Sequence, residues 1–469
     1  MIKKLSICGL RGFGKEQTID FAIPTGTPGS GLTFIVGSNN SGKTTILEAL
    51  RSFNNSSNQT PNFSERKRNA KCDSKVCLAL ETAEGMRLEI KTTPNGGSPT
   101  EIVAYDTTEN NVETYWEGLN AYILQSRRYS EYEFDRLEMD RGDYIQNQLQ
   151  NNSNRSASLM WFNSRIFKMY KNKEIFDNLL KKVLGYDLQW TIEQYDNDRF
   201  YLKIIINRCV HSSEGLGDGI WSVFTICDAL YDSSPDSIIA IDEPELSLHP
   251  AYQKRIMELL KEYSKDRQII VNTHSPYLVD IASMTCGANL IRTLKNADGD
   301  IEIHELSNST KDKLKGFLTD LNHPHTFGME AKEIFFLEDG IVVVEGQEDV
   351  LMYRKAAEEL KIPILGSFFG WGAGGAAKIP FILRVLKELG YTKVVAIYDG
   401  DKIKDMESAR EEYPNFKFFS ISVSDIRDKR AVNKAEKSGL MTERGQIKDE
   451  HRNEMKELLE NINSCLFGA

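Results

Sequence analysis

Residues 32–53 read LTFIVGSNNSGKTTILEALRSF, and the division of this stretch decides the fold. Leu32 to Val36 form a short apolar run of buried-strand length, while Ile46, Leu47, Ala49 and Leu50 recur at helical spacing beyond the glycines. Between strand and helix, Gly37 to Thr44 satisfies G-x-x-x-x-G-K-[ST]. Gly37 and Gly42 let the backbone curl so that its N–H groups face a phosphate, and the helix N-terminus adds partial positive charge. Asn39, Asn40, Ser41 and Thr45 belong to the same cradle, Lys43 is placed for the β and γ phosphates, and Thr44 for magnesium. The stretch therefore predicts an α/β fold that binds ATP with Mg2+.

Such a loop requires a carboxylate for the metal and a group to position water. SIIAIDEPELSLHP supplies an apolar strand ending in Asp242 and Glu243. Asp242 is the candidate magnesium partner of Thr44, and Glu243 the candidate polariser of the attacking water. The next strand, QIIVNTHSP, ends in His274, whose imidazole can donate to a γ-phosphate oxygen. Strands alternating with helices from here on predict a parallel sheet. Residues 75–107 alternate apolar and polar between Gly, Asn and Pro turns, as an antiparallel meander does. Residues 140–185 read as helical.

Composition allows two or three domains: 469 residues, 40% hydrophobic and 27% charged, with a net charge of −10. That charge excludes the overall basic footprint of a nucleic-acid coat protein. Seven cysteines, at 8, 72, 77, 209, 227, 286 and 465, show no C-x-x-C pair, so neither a disulfide framework nor a zinc site is indicated. No secretory leader or membrane-spanning run is seen, and a cytoplasmic protein is expected.

The opening IKKLSICGLRGFG, the phosphate loop, IDEPELSLHP and NTHSP together resemble the ABC-type ATPases of the RecF, SMC and OLD (overcoming lysogenization defect) group. The resemblance implies ATP held between two heads of a homodimer or higher homo-oligomer, with His249 at their interface. It also implies a signature loop, for which HSSEGLGDGI at 211–220 offers Ser213, Gly215 and Gly217, departing from the usual Leu-Ser-Gly-Gly-Gln form. Gln125 in AYILQSRRYS matches the glutamine that links metal to the helical lobe. About 170 residues separate phosphate loop and signature, without sustained heptads, so a compact lobe at about 130–190 is expected, a possible dimerisation surface, and not an SMC coiled coil.

The chain continues well beyond the histidine strand. IVVVEGQED at 341–349 ends a strand in Glu345 with Asp349 after it, and KVVAIYDGDK ends another in Asp399 and Asp401. Parallel strands emerge at one edge, so these acids can converge, and clustered carboxylates call for a divalent cation such as Mg2+ or Mn2+. The glycines of GWGAGG, at Gly370, Gly372 and Gly375, also fit a dinucleotide fingerprint, which would leave Glu345 and Asp401 unused.

The order EG…DGD after such a head resembles the Toprim domain of the OLD family, a metal-dependent nuclease. That resemblance transfers Glu345, Asp399 and Asp401 to catalysis, and Glu345, Asp349, Asp399, Asp401 and Asp425 to the metal site. Arg427 stands where the family has a glutamate, and Lys434 and Lys437 both remain candidates for its lysine. The expected architecture is an ATPase domain at 1–310 with an antiparallel β subdomain and helical lobe, a linker at 311–335, and a Toprim domain at 336–469. The function it implies is ATP-dependent cleavage of DNA in anti-phage defence. Partners it admits are a defence-operon protein, or a reverse transcriptase with RNA. The alternative is an ATPase sensor or recombination mediator whose Toprim domain does not cut.

Overall fold

The computed structural model describes every residue except 55–60, 93–99, 106–110, 113–117, 127–135, 151–161, 196–198, 207–208, 213–216, 319–325, 337–338, 430–436 and 468–469. It divides into two compact units, Met1–Ile303 and His304–Ala469.

The first unit is built on a six-stranded sheet in the order Ile301–Glu305, Asn289–Lys295, Leu32–Gly37, Gln268–Asn272, Ile238–Asp242, Tyr122–Leu124. From Asn289–Lys295 to Tyr122–Leu124 all neighbours are parallel. The strands Leu32–Gly37, Ile238–Asp242 and Gln268–Asn272 are buried along their whole length, which is why they read as continuous apolar runs. Gln268–Asn272 lies between the phosphate-loop strand and the two-acid strand, so its following loop opens between Lys43 and Asp242.

A second six-stranded sheet is antiparallel and contains the meander Cys77–Thr82, Arg87–Thr92 and Thr100–Tyr105. The N-terminal strand Ile2–Cys8 pairs with its first member. One core unites Leu5, Leu80, Leu88 and Ile90 of this sheet, Ile46 and Leu50 of the helix Lys43–Ser52, and Ile270 of the parallel sheet. A parallel sheet carrying the phosphate loop and an antiparallel subdomain thus share one core, the arrangement expected from the resemblance to ABC-type ATPase heads.

The lobe contains the helices Arg141–Gln150, Phe162–Lys171 and Lys173–Leu184, with an antiparallel sheet of Gln189–Gln194, Phe200–Ile206 and Cys209–Ser212. Trp190 meets Phe176 and Phe224 edge-on at 5.9 and 5.4 Å, which fastens the lobe to the helix Asp218–Tyr231.

The second unit has a four-stranded parallel sheet in the order Ser367–Phe368, Ile341–Val343, Val394–Tyr398, Lys417–Ser420. A two-stranded parallel ladder, Asp425–Arg427 with Gly439–Met441, lies beyond it. The polar 311–335 stretch departs from a linker, because Asn308–Leu318 is a helix within this unit. Ser307 and Thr310 donate to Glu388 at 2.8 and 2.7 Å, and Phe317 stacks on Phe381 at 4.4 Å. Its charged face conceals the buried Thr310 and Leu314.

Candidate functional site

The phosphate loop is shaped by three residues in the left-handed region: Gly37 at φ 141°, Asn40 at 60° and Gly42 at 95°. A Cβ at Gly42 would sit 2.3 Å from Ile301 Cδ1, and one at Gly37 2.3 Å from the Thr293 carbonyl, so neither glycine is replaceable without movement. The cavity of 510 Å3 over this loop is lined by Asn39, Asn40, Ser41, Gly42, Lys43, Thr44 and Thr45. Ser41 turns its hydroxyl away, to Thr293 Oγ1 at 2.6 Å. Lys43 curls back on the loop, donating to the carbonyls of Gly37 and Ser38 at 3.0 and 2.8 Å. Burial lowers its pKa to about 8 against the pull of Glu243, Asp242 and Glu245. A phosphate would restore the charge burial opposes.

Thr44 Oγ1 and Asp242 Oδ1 face each other at 3.5 Å, and Asn272 Nδ2 also donates to Asp242. Glu243 takes φ 47°, with its N–H on the Asn272 carbonyl at 2.7 Å, and this kink turns its side chain toward His274 Nε2 at 3.9 Å. Burial and the Lys43 charge push the His274 imidazole down to about 4, leaving it neutral at physiological pH. Glu245, to which sequence reading assigns no role, accepts from Thr273 Oγ1 at 2.8 Å and from the His274 N–H at 2.5 Å. Its second carboxylate position after DE was the available signal. Arg11, Lys295 and Ile301 also line the cavity and are not legible as such in the sequence.

Gln125 follows the edge strand Tyr122–Leu124, which runs beside Ile239–Ile241, so it emerges level with Asp242. With its amide turned so that the oxygen faces the Arg51 guanidinium, Gln125 accepts from it at 2.8 and 2.9 Å; the opposite orientation would set donor against donor. Ser213 and Gly215 lie outside the described residues; Gly217 caps the helix Asp218–Tyr231. His249 caps the helix Pro250–Tyr263, its Nδ1 accepting from the Ala251 N–H at 3.2 Å, and is exposed.

Three residues before Gln125, Tyr122 donates to Asp228 of the helix Asp218–Tyr231. Arg165 from the lobe grips the same Asp228 and also Asp232, both at close range, and Arg165 and Asp228 are wholly buried. The strand bearing Gln125 and the helix after the signature loop thus share one charged cluster.

In the second unit, Glu345 and Asp399 follow adjacent parallel strands, and Glu345 Oε1 accepts from the Asp399 N–H at 3.0 Å. Asp349 caps its own helix, Gln347–Leu360, by accepting from the Gly346 N–H at 2.8 Å. Burial raises Asp349 to about 7 and Asp399 to about 8; the neighbouring charges of Glu345 and Asp425 add to both shifts, and Asp349 to that of Asp399. Burial likewise raises Glu345, with Asp401 contributing. Asp425, 2% exposed, has one carboxylate oxygen, Oδ1, buried without a hydrogen-bond partner.

Lys437 reaches Asp401 at 3.2 Å and Asp425 at 3.6 Å, while Lys434 lies outside the described residues. Among the described residues no three acids close into a ready metal cage. Lysine ammonium groups and a helix terminus hold them instead. Arg427 pairs with Glu348 at 2.7 Å, so an acid from the neighbouring helix faces the arginine. The donor set itself, oxygen-only with an orphaned buried carboxylate oxygen, fits a divalent cation. The glycines of GWGAGG serve this edge: Gly374 and Gly375 donate to the Glu345 carbonyl at 2.9 and 2.8 Å.

Residues 112–280 match the family described as "AAA domain, putative AbiEii toxin, Type IV TA system". The chain is 25% identical over 341 residues to the Septu protein PtuA of Bacillus thuringiensis, covering 66% of this chain and 79% of that protein. It is 29% identical over 177 residues to the OLD nuclease of Thermus scotoductus, covering 37% of this chain and 33% of the nuclease. A solved Smc head domain with an extended coiled coil, bound to the C-terminal domain of ScpA derived from Pyrococcus furiosus, aligns over 68% of this chain and 100% of that chain, with a TM-score of 0.42 and 16% identity. No helix among the described residues is long and apolar enough to cross a membrane.

Proposed function

We infer that this chain, an ATPase of the OLD family, is a divalent-metal-dependent nuclease of the Toprim kind that cleaves DNA under the control of ATP, in defence against phage. The observation that carries the reading is the convergence of Glu345 and Asp399 at the ends of adjacent parallel strands, joined by a hydrogen bond, with Asp349 and Asp399 both raised well above the usual carboxylate range and one oxygen of Asp425 buried without a partner. Septu and OLD relatives support the setting.

At the nucleotide, Lys43 would neutralise the β and γ phosphates, and Thr44 and Asp242 would hold magnesium. Glu243 orients the attacking water, and neutral His274 donates to the γ-phosphate. Gln125, level with Asp242, would connect the metal site to Tyr122 and the lobe. Two heads closing on ATP make the working species a homo-oligomer. In the second unit, Glu345, Asp349, Asp399 and Asp425 would hold Mg2+ or Mn2+, which when bound supplies Lewis acidity at a scissile phosphodiester. Lys437, beside Asp401, would neutralise the phosphate.

A second reading, an ATPase switch with a non-cutting domain, is favoured by Arg427 at the glutamate position. The two are separated by a cleavage assay on plasmid and single-stranded DNA, with and without ATP and each metal. Glu345→Ala and Asp399→Ala should abolish cleavage and leave ATP binding intact; cleavage unchanged in both would overturn the nuclease reading.

A further inference from the structure

Along the edge strand Ser367–Phe368 lies a cavity of 470 Å3 that includes none of the clustered acids, lined by Arg354, Phe368, Trp371, Glu333, Glu358 and Ile364. Arg354, on the helix that begins after Glu345, sets its guanidinium 5.7 Å from the Phe368 ring centre and 5.6 Å from that of Trp371. It is exposed and makes no hydrogen bond or ion pair among the described residues, although Glu358 is one turn along its own helix. Its guanidinium instead lies within cation–π range of both rings.

Trp371 is presented by a constrained turn. Gly370 and Gly372 on either side take φ 49° and 89°, and a Cβ on Gly372 would meet the Gly346 backbone at 2.7 Å. The same turn bonds through Ala373 to Val344 and through Gly374 and Gly375 to Glu345, at 2.8–2.9 Å. The indole is therefore anchored to the backbone that carries Glu345, one short turn from the acids.

We propose that Trp371, Phe368 and Arg354 form a stacking subsite for an unpaired nucleobase beside the phosphodiester held at Glu345 and Asp399. Rings and a guanidinium plane are the surfaces on which bases stack without regard to sequence. Glu333 and Glu358 disfavour a run of phosphates in this cavity, which assigns it to a base and not to backbone. A base within a duplex is already stacked and cannot enter, so the ligand is single-stranded or locally opened. This inference rests on the nuclease reading.

The test uses the full chain in Ca2+ with a short single-stranded oligodeoxynucleotide carrying 2-aminopurine, whose fluorescence falls on stacking. Wild type should quench it. Trp371→Ala and Arg354→Gln should weaken binding about 5- to 150-fold, the span of one lost stacking contact, and Trp371→Phe should retain most of it. Arg354 is exposed, so its variant remains informative should Trp371→Ala unfold. Undiminished quenching in both variants overturns the subsite and leaves the nuclease reading standing. Failure of wild type to bind any oligonucleotide overturns both. Equal affinity for free 2-aminopurine deoxynucleoside monophosphate overturns the strand assignment, because the cavity would then be a mononucleotide site.

Discussion

The Tyr122 hydroxyl donates a 2.5 Å hydrogen bond to Asp228, a carboxylate that Arg165 holds at 2.9 Å with no solvent reaching either charge. Burial alone would raise the Asp228 pKa and does so in balance against the arginine. Removing one partner strands the other. Asp228→Ala or Arg165→Ala should cost about 3–5 kcal/mol in denaturant unfolding, and Tyr122→Phe about 1–3 kcal/mol. Arg165→Met combined with Asp228→Leu should cost clearly less than the two single changes summed. Strict additivity would show that the pair is not coupled.

Lys43→Ala removes charge-assisted hydrogen bonds to phosphate, worth about 1.5–3 kcal/mol, so ATP affinity should fall roughly ten- to a hundred-fold. Glu243→Gln should instead keep ATP affinity and slow hydrolysis by about a hundred- to ten-thousand-fold. Equilibrium binding of a fluorescent ATP analogue and steady-state phosphate release separate the two effects. Equal losses of binding in both variants would deny Glu243 its proposed role.

The acids of the second unit bear on pH. Asp349 and Asp399 hold protons up to about 7 and 8 in the metal-free fold, above their unfolded values. The folded chain then binds more protons than the unfolded one, so metal-free stability should fall as pH rises from about 4 to 8. A divalent cation displaces those protons, so Mg2+ or Mn2+ affinity should climb with pH and level off above about 8. Titration calorimetry at pH 6.5 in buffers of different ionisation enthalpy should report proton release; buffer-independent heats would exclude these carboxylates as ligands.

Gly372→Ala places a Cβ against Gly346 in a left-handed backbone. Strain of about 1–3 kcal/mol should displace the turn from Glu345, reducing cleavage while ATP hydrolysis is retained. A variant with full cleavage and unchanged melting would show that the turn does not support the acids.

Local chemistry was the legible part. The phosphate loop, the DE strand and the two acid-ending strands are contiguous signals, and each places its residue through backbone geometry alone. Cross-chain pairings were not legible. Asp228 and Arg165 are 63 positions apart and acquire meaning only when a lobe helix packs on a head helix. Lys437 beside Asp425 depends on the register of two short strands. The 308–318 helix was hidden because its outward face is polar and its inward anchors, Thr310 and Leu314, are few.

One consequence concerns modularity. The lobe has the outward form of an insertion, a segment an engineer would excise or exchange between relatives. Arg165 forbids that treatment, since a chain shorn of the lobe would keep Asp228 and Asp232 in the head with their counterion gone. Grafting another lobe would require an arginine delivered to the same buried point, so head and lobe must be inherited, and redesigned, as one piece.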